Sequence, residues 1–196
     1  NHVLRVACCC RILATAIALP EDEIEMIFLT SPLHDVGKIG IPDRILLKPG
    51  ALDESERLIM ERHCEIGQSI VLAQPKGIAA FLDSAGEENT LGFAPEADAL
   101  REKAATIIMT HHEKWDGSGY PGGLEGDEIP IAGQICAVAD VYDALRSERP
   151  YKKPYGVQET MERMRAERGT HFSPDILTVF ETVADEFEAI RSRFEG

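Results

Sequence analysis

No stretch of about 18 consecutive apolar residues occurs in the sequence, so nothing in it predicts a membrane-spanning helix. Basic residues are also scarce. The chain has 20 Lys and Arg against 34 Asp and Glu, a formal net charge of −14. A general DNA or RNA binder carries a basic face, so that class is excluded. Cysteine is present but not arranged to cross-link. There are 5, an odd number; Cys8, Cys9 and Cys10 are adjacent, Cys64 and Cys136 are isolated, and no CxxC occurs. A disulfide scaffold is therefore excluded, and a thiolate metal site needs better spacing. Free, buried thiols in a reducing cytoplasm are expected. Disorder is excluded by a hydrophobic content of 44%, ample for a packed core. The sequence opens on Asn1 and no signal peptide precedes it, so it reads as a piece excised from a longer chain.

What is present is helical periodicity. Apolar residues recur at helical spacing from Val3 to Leu19, and Pro20 ends the run. Glu21 to His34 predicts a second helix with acids at its positive end. Asp53, Glu54 and Glu56 ahead of Leu58, Ile59, Ile66 and Ile70 predict a capped helix over Glu54 to Ala73. Further helices are expected at Glu96 to His112, Ile131 to Arg146, Val157 to Glu167 and Pro174 to Arg191, the last behind a Ser173–Pro174 start signal. No segment alternates convincingly enough for a strand. The fold expected is all-α, with residues 1–196 forming one domain.

Two segments break this texture. Lys114 to Pro130 is too rich in glycine for a helix and follows His111–His112 directly. Gln74 to Ala94 carries Gly77, Gly86 and Gly92 and reads as part of an insertion over roughly residues 74–98. Met60, Met109, Met161 and Met164 are expected in the core, and Trp115 in the core or anchoring its loop.

Side chains able to do chemistry sit at the ends or inner faces of successive helices. His34–Asp35 closes one helix, His63 lies in the next, and His111–His112 precedes the glycine-rich loop. Asp140 lies on a very apolar helix, where a buried carboxylate needs a cation or several donors. The bland alternative turns Asp140 and Asp143 to water as one polar stripe, and Arg149 with Lys152 and Lys153 is ordinarily a solvated run. Taken together, four imidazoles and two carboxylates form a mixed N/O donor set suited to first-row divalent metals and large enough for two.

The strings LHDVGKIGIPDRILLKPGALDESE, HHEKWDGSGYPGGLEGDEIP and ADVYDALRSERPYK, with His63 between the first two, resemble the HD-GYP family. That family is a branch of the HD phosphohydrolases and hydrolyses the bacterial second messenger cyclic di-GMP. The resemblance implies an HD-domain helical bundle with a glycine-rich GYP loop. It implies metal ligation by His34, Asp35, His63, His111, His112 and Asp140, with Asp35 bridging two metals. His2 matches a histidine that ligates in some members, so two or three metals both remain open. Iron or manganese is implied, with nickel, cobalt and zinc compatible. Lys38 is implied beside the attacking water or a phosphate oxygen. Gly119, Tyr120 and Pro121 are the GYP triplet, and Arg149 and Lys152 match residues that hold substrate phosphates. Tyr120 can stack on a base, bond a phosphate or simply anchor its loop. Arg146 departs from the family, which has a small polar residue there.

The activity implied is metal-dependent linearisation of cyclic di-GMP to pGpG, with onward cleavage to GMP open, by a metal-activated bridging hydroxide. Two other readings stand beside it. One is a non-catalytic sensor or docking module for a diguanylate cyclase. The other is an HD phosphohydrolase acting on a nucleotide or alarmone. An upstream receiver or sensory domain and a dimer are compatible with the resemblance.

Overall fold

In a computed structural model, residues 1–73, 95–148 and 153–194 are described. Within them the helical periodicities become α1 (His2–Ala16), α2 (Glu21–Thr30), the short α3 (Asp43–Leu46), α4 (Glu54–Glu61) and α5 (His63–Leu72). After these come α6 (Pro95–Thr110), α7 (Ile131–Arg146), α8 (Val157–Ala166) and α9 (Pro174–Phe194). Among the described residues there is no strand, only isolated bridges at Asp116–Glu125 and Arg168–Phe172. No helix there is long and apolar enough to cross a membrane. The insertion expected at 74–98 lies outside the described residues up to 94, and α6 begins at Pro95.

The central element is α1, which packs on α2, α7 and α9. Val6, Leu13, Ile27, Ile107, Ile135 and Leu177 are fully buried around it. Tyr142, Phe180 and Phe187 add three edge-to-face aromatic contacts, with centroids 5.1 to 5.4 Å apart. Arg146, which stands where the resembled family has a small polar residue, has a partner here. Its guanidinium holds Glu188 of α9 through Nε at 2.9 Å and a terminal amino group at 2.7 Å, and Tyr142 Oη donates to the same carboxylate at 2.6 Å. The five cysteines are free, and all but the half-buried Cys8 are buried. Met161 and Met164 are core residues, whereas Met60 is only half-buried and lines a cavity.

Helix boundaries shift where a local rule outweighs periodicity. The expected helix Glu21 to His34 stops at Thr30, because Pro32 supplies no backbone donor; Ser31–Leu33 continues as a 3-10 turn. The expected helix Glu54 to Ala73 is two helices. Its start is the capping box read from the sequence, with Glu56 N to Asp53 Oδ1 and Asp53 N to Glu56 Oε2 both 2.9 Å. It breaks at Arg62, so His63 begins a new helix. That break matters, because it places His63 at a helix terminus facing Asp35.

Candidate metal centre

The centre is assembled from helix ends. The segment 31–40 runs through two 3-10 turns, and His34–Asp35 lies between them. It is pressed onto α5 at Gly37: a Cβ there would stand 1.9 Å from His63 O and 2.5 Å from Gly67 N. Glycine is thus what lets Asp35 approach His63. α6 ends at Thr110, so His111 and His112 sit just past its terminus rather than within it, and their rings lie 4.0 Å apart. Asp140 arrives from mid-α7 and His2 from the first turn of α1.

These residues converge. Nε2 of His34 is 3.4 Å from Asp35 Oδ2, Nε2 of His63 is 3.5 Å from Oδ1, and Nε2 of His111 is 3.8 Å from Oδ1. Asp140 Oδ1 lies 3.3 Å from His2 Nε2 and 3.8 Å from His34 Nε2. Donor atoms form two sets, Asp35–His63–His111–His112 and His2–His34–Asp35, each with all its atoms within 4.8 Å. Asp35 belongs to both.

Two observations show that the donors fit a cation. His34 Nε2, Asp35 Oδ1 and His111 Nε2 are buried and have no hydrogen-bond partner. Leaving buried polar atoms orphaned is costly, and three of them spread over these two linked donor sets call for positive charge. The other ring nitrogens are committed to carbonyls. Nδ1 of His34 donates to Ser31 O at 2.8 Å, His63 to Met60 O at 2.7 Å, and His111 to Ile107 O and Ile108 O at 3.1 and 3.0 Å. A carbonyl only accepts, so each Nδ1 bears a hydrogen, and each Nε2 is the nitrogen turned to the centre, where a cation would take its lone pair.

Ionisation agrees. Burial alone would raise Asp35, but His111, His34 and Lys38 outweigh it and hold the carboxyl far below the usual range. Burial likewise opposes Asp140, and His2 and His34 hold it low. Burial, with His111 and His63 nearby, pushes His112 down to about 2. His2 is raised to about 9 by its bonds to Asp140 and Asp143. The carboxylates are therefore ionised and His112 is neutral, while His34, where Asp35 outweighs burial, and His2 are held toward the protonated form. A bound cation would displace those protons, and a mixed carboxylate and imidazole set suits divalent first-row metals.

The centre opens on a cavity of about 650 Å3 lined by His2, Arg5, Lys38, Met60, Tyr120 and Asp140, among others. That is a normal size for a small-molecule site. Lys38 Nζ contacts Asp35 Oδ2 at 2.5 Å and remains 38% exposed. Tyr120 stacks on His112 at 4.7 Å, so its ring forms a wall beside the donors. Its loop is fixed from below by Glu113, which accepts from Gly122 N at 2.6 Å and Leu124 N at 3.1 Å. Gly119 lies so close to the chain that a Cβ would be 2.3 Å from Lys114 N. Trp115 ties the loop to the segment before α9 through its backbone N–H, which donates to His171 O at 3.1 Å. Arg149 and Lys152 lie outside the described residues. Lys153 lines a smaller recess of about 230 Å3 beside the main cavity.

Sequence reasoning missed Glu113 and Asp143. Asp143 does not face water with Asp140: its side chain is 1% exposed and bonded to Arg5 and His2. The i, i+3 spacing put both carboxylates on one face, but not the partners 138 and 141 residues away.

With that geometry in place, likeness to known proteins is informative. The family model described as the HD domain matches residues 1–176. The 3'3'-cGAMP-specific phosphodiesterase 2 of Vibrio cholerae is 44% identical over 191 residues, covering 97% of this chain and 32% of its own length. A cyclic di-GMP phosphodiesterase of Thermotoga maritima is 38% identical over 193 residues, covering 98% of this chain and 46% of its own length. The chain thus spans a third to under half of these relatives. A solved structure of a cyclic GMP-AMP specific phosphodiesterase of V. cholerae, V-cGAP3, shares the fold with a TM-score of 0.57 at 20% identity, covering 96% of this chain and 45% of that one.

Proposed function

The chain belongs to the HD-domain family, and on that premise we propose that it is a metal-dependent phosphodiesterase that opens cyclic di-GMP to pGpG. Names of its relatives in the cyclic-dinucleotide phosphodiesterases, together with its GYP triplet, support that reading. The observation that carries it is Asp35, shared by two donor sets at the floor of a cavity of about 650 Å3. Iron or manganese is the expected cation. When bound, a pair of divalent cations would lower the pKa of a water and neutralise charge growing on phosphoryl oxygens.

The chain's own residues do the rest. Asp35 and Asp140 would repel a phosphodiester on their own, so their carboxylates serve to hold cations. The carbonyls of Ser31, Met60 and Ile107 fix which imidazole nitrogen faces the centre. Lys38 adds a fixed ammonium beside Asp35, able to meet a phosphate oxygen in a partly dry site. Tyr120 walls one side by stacking on His112. The net charge of −14 does not oppose this, because charges beyond about 8 Å are screened in physiological salt.

A second substrate, 3'3'-cGAMP, is favoured by the 44% identical relative. Purified chain loaded with Mn2+ or Fe2+ is incubated with each dinucleotide, and products are separated by chromatography, with Asp35→Ala as control. Turnover of cyclic di-GMP to pGpG supports the proposal. Turnover of 3'3'-cGAMP alone reassigns the substrate, and no turnover of either with any of these metals, nickel or cobalt defeats it.

A further inference from the structure

His2 is held differently from the other imidazoles described above. Where His34, His63 and His111 give Nδ1–H to a carbonyl of their own segment, His2 places Nδ1 2.7 Å from Asp143 Oδ2. That carboxylate is caged. Arg5 donates to it through Nε at 2.6 Å and a terminal amino group at 2.9 Å, Ser147 Oγ donates at 3.2 Å, and Arg191 approaches at 3.5 Å. With its side chain 1% exposed and held between two guanidiniums, Asp143 cannot turn away. His2 needs such an anchor. It begins α1, and its side chain is 39% exposed, where an unanchored ring would sample several rotamers. With Nδ1–H given to Asp143, its Nε2 faces Asp140 Oδ1 at 3.3 Å.

The geometry points to Asp143 as a positioning residue for one of two cations: it orients His2 within the His2–His34–Asp35 set, which shares Asp35 but no other residue with the Asp35–His63–His111–His112 set. This rests on the two-cation reading of the centre. A carboxylate behind a ligating histidine fixes its tautomer and raises its basicity, and losing it typically weakens metal binding about 10- to 100-fold. Since only His2 is held this way, one cation should feel the loss. Arg191 belongs to α9, so the same cage ties that cation's retention to the packing of the C-terminal helix.

The test is Mn2+ titration of the chelator-stripped full chain, following free Mn2+ by electron paramagnetic resonance. Wild type is expected to take up two equivalents. Asp143→Asn should keep one at wild-type affinity and bind the other about 10- to 100-fold more weakly. This change leaves Arg5 and Arg191 short of a buried counter-charge. Asp143→Glu, which keeps the charge but displaces the oxygen from Nδ1, is therefore measured beside it, and circular dichroism checks both folds. His2→Gln should weaken the same step, and the double variant His2→Gln/Asp143→Asn no more than His2→Gln alone. Two wild-type binding steps in the folded Asp143 variants, equal weakening of both steps, or additive losses in the double variant would overturn the inference and leave the two-cation reading standing. A wild-type chain that binds fewer than two Mn2+ overturns that reading, and this inference falls with it.

Discussion

At the scale of single residues, the centre turns on atoms that lack partners. Asp35 Oδ1 is buried, unbonded and faces two imidazole Nε2 atoms, while Lys38 meets only the other oxygen, so Oδ1 is the atom placed to take a cation. Asp35→Asn keeps the shape and removes the charge from both donor sets. It should lose both bound cations and at least about two orders of magnitude of activity while circular dichroism still reports a helical fold, a loss of the size typical for an essential group. Elemental analysis beside the turnover assay checks this, and full cation occupancy in the variant would refute it. The pairs His34–Asp35 and His111–His112 were legible in the sequence because adjacency itself marks them. Asp143 and Glu113 were not, because an acidic side chain on a helix or beside a loop acquires meaning only from what it touches.

At the scale of elements, two devices can be tested. Glu113 holds the loop by accepting from two backbone N–H groups, one into each oxygen. Glu113→Gln turns one acceptor into a donor facing another donor. The loop should loosen, activity should fall, and Trp115, the only tryptophan, should report it as a shift in fluorescence emission; an unchanged spectrum with unchanged activity would count against this role. The second device joins α7 to α9. Burial disfavours charge on Glu188, but Arg146 and Tyr142 outweigh it and hold its carboxyl low. A depressed carboxylate contributes stability above its unfolded value near 4.3, and loses it as pH falls through its folded value. Glu188→Gln should therefore cost about 1–2 kcal/mol at pH 7, and its deficit against wild type should shrink below about pH 4. Urea denaturation at both pH values measures it. The helices themselves were legible from periodicity; the break at Arg62 was not, since nothing in the local pattern there interrupts the apolar spacing.

For the whole molecule, bound cations would be linked to stability, because the candidate donors come from α1, the 31–40 segment, α5, the end of α6 and α7. A ligand that binds only the folded chain at 100 times its Kd adds about 2.7 kcal/mol. Stripping the protein with a chelator should thus lower its melting temperature by about 5–10 °C, and Mn2+ should restore it. An identical melting curve with and without Mn2+ would show that these elements are not joined by a cation.

Sequence alone determined the helical class, the net negative charge, the lack of a cross-linking cysteine pattern, and the identity of the candidate donors, because periodicity, composition and rare adjacent pairs are local properties of the chain. Tertiary structure alone decided that Asp35 is shared between two donor sets, that Asp143 is buried behind His2, and that Glu113 carries the glycine-rich loop. Each of those facts is a distance between segments far apart in the chain, set by how the helices pack and where glycine lets them approach.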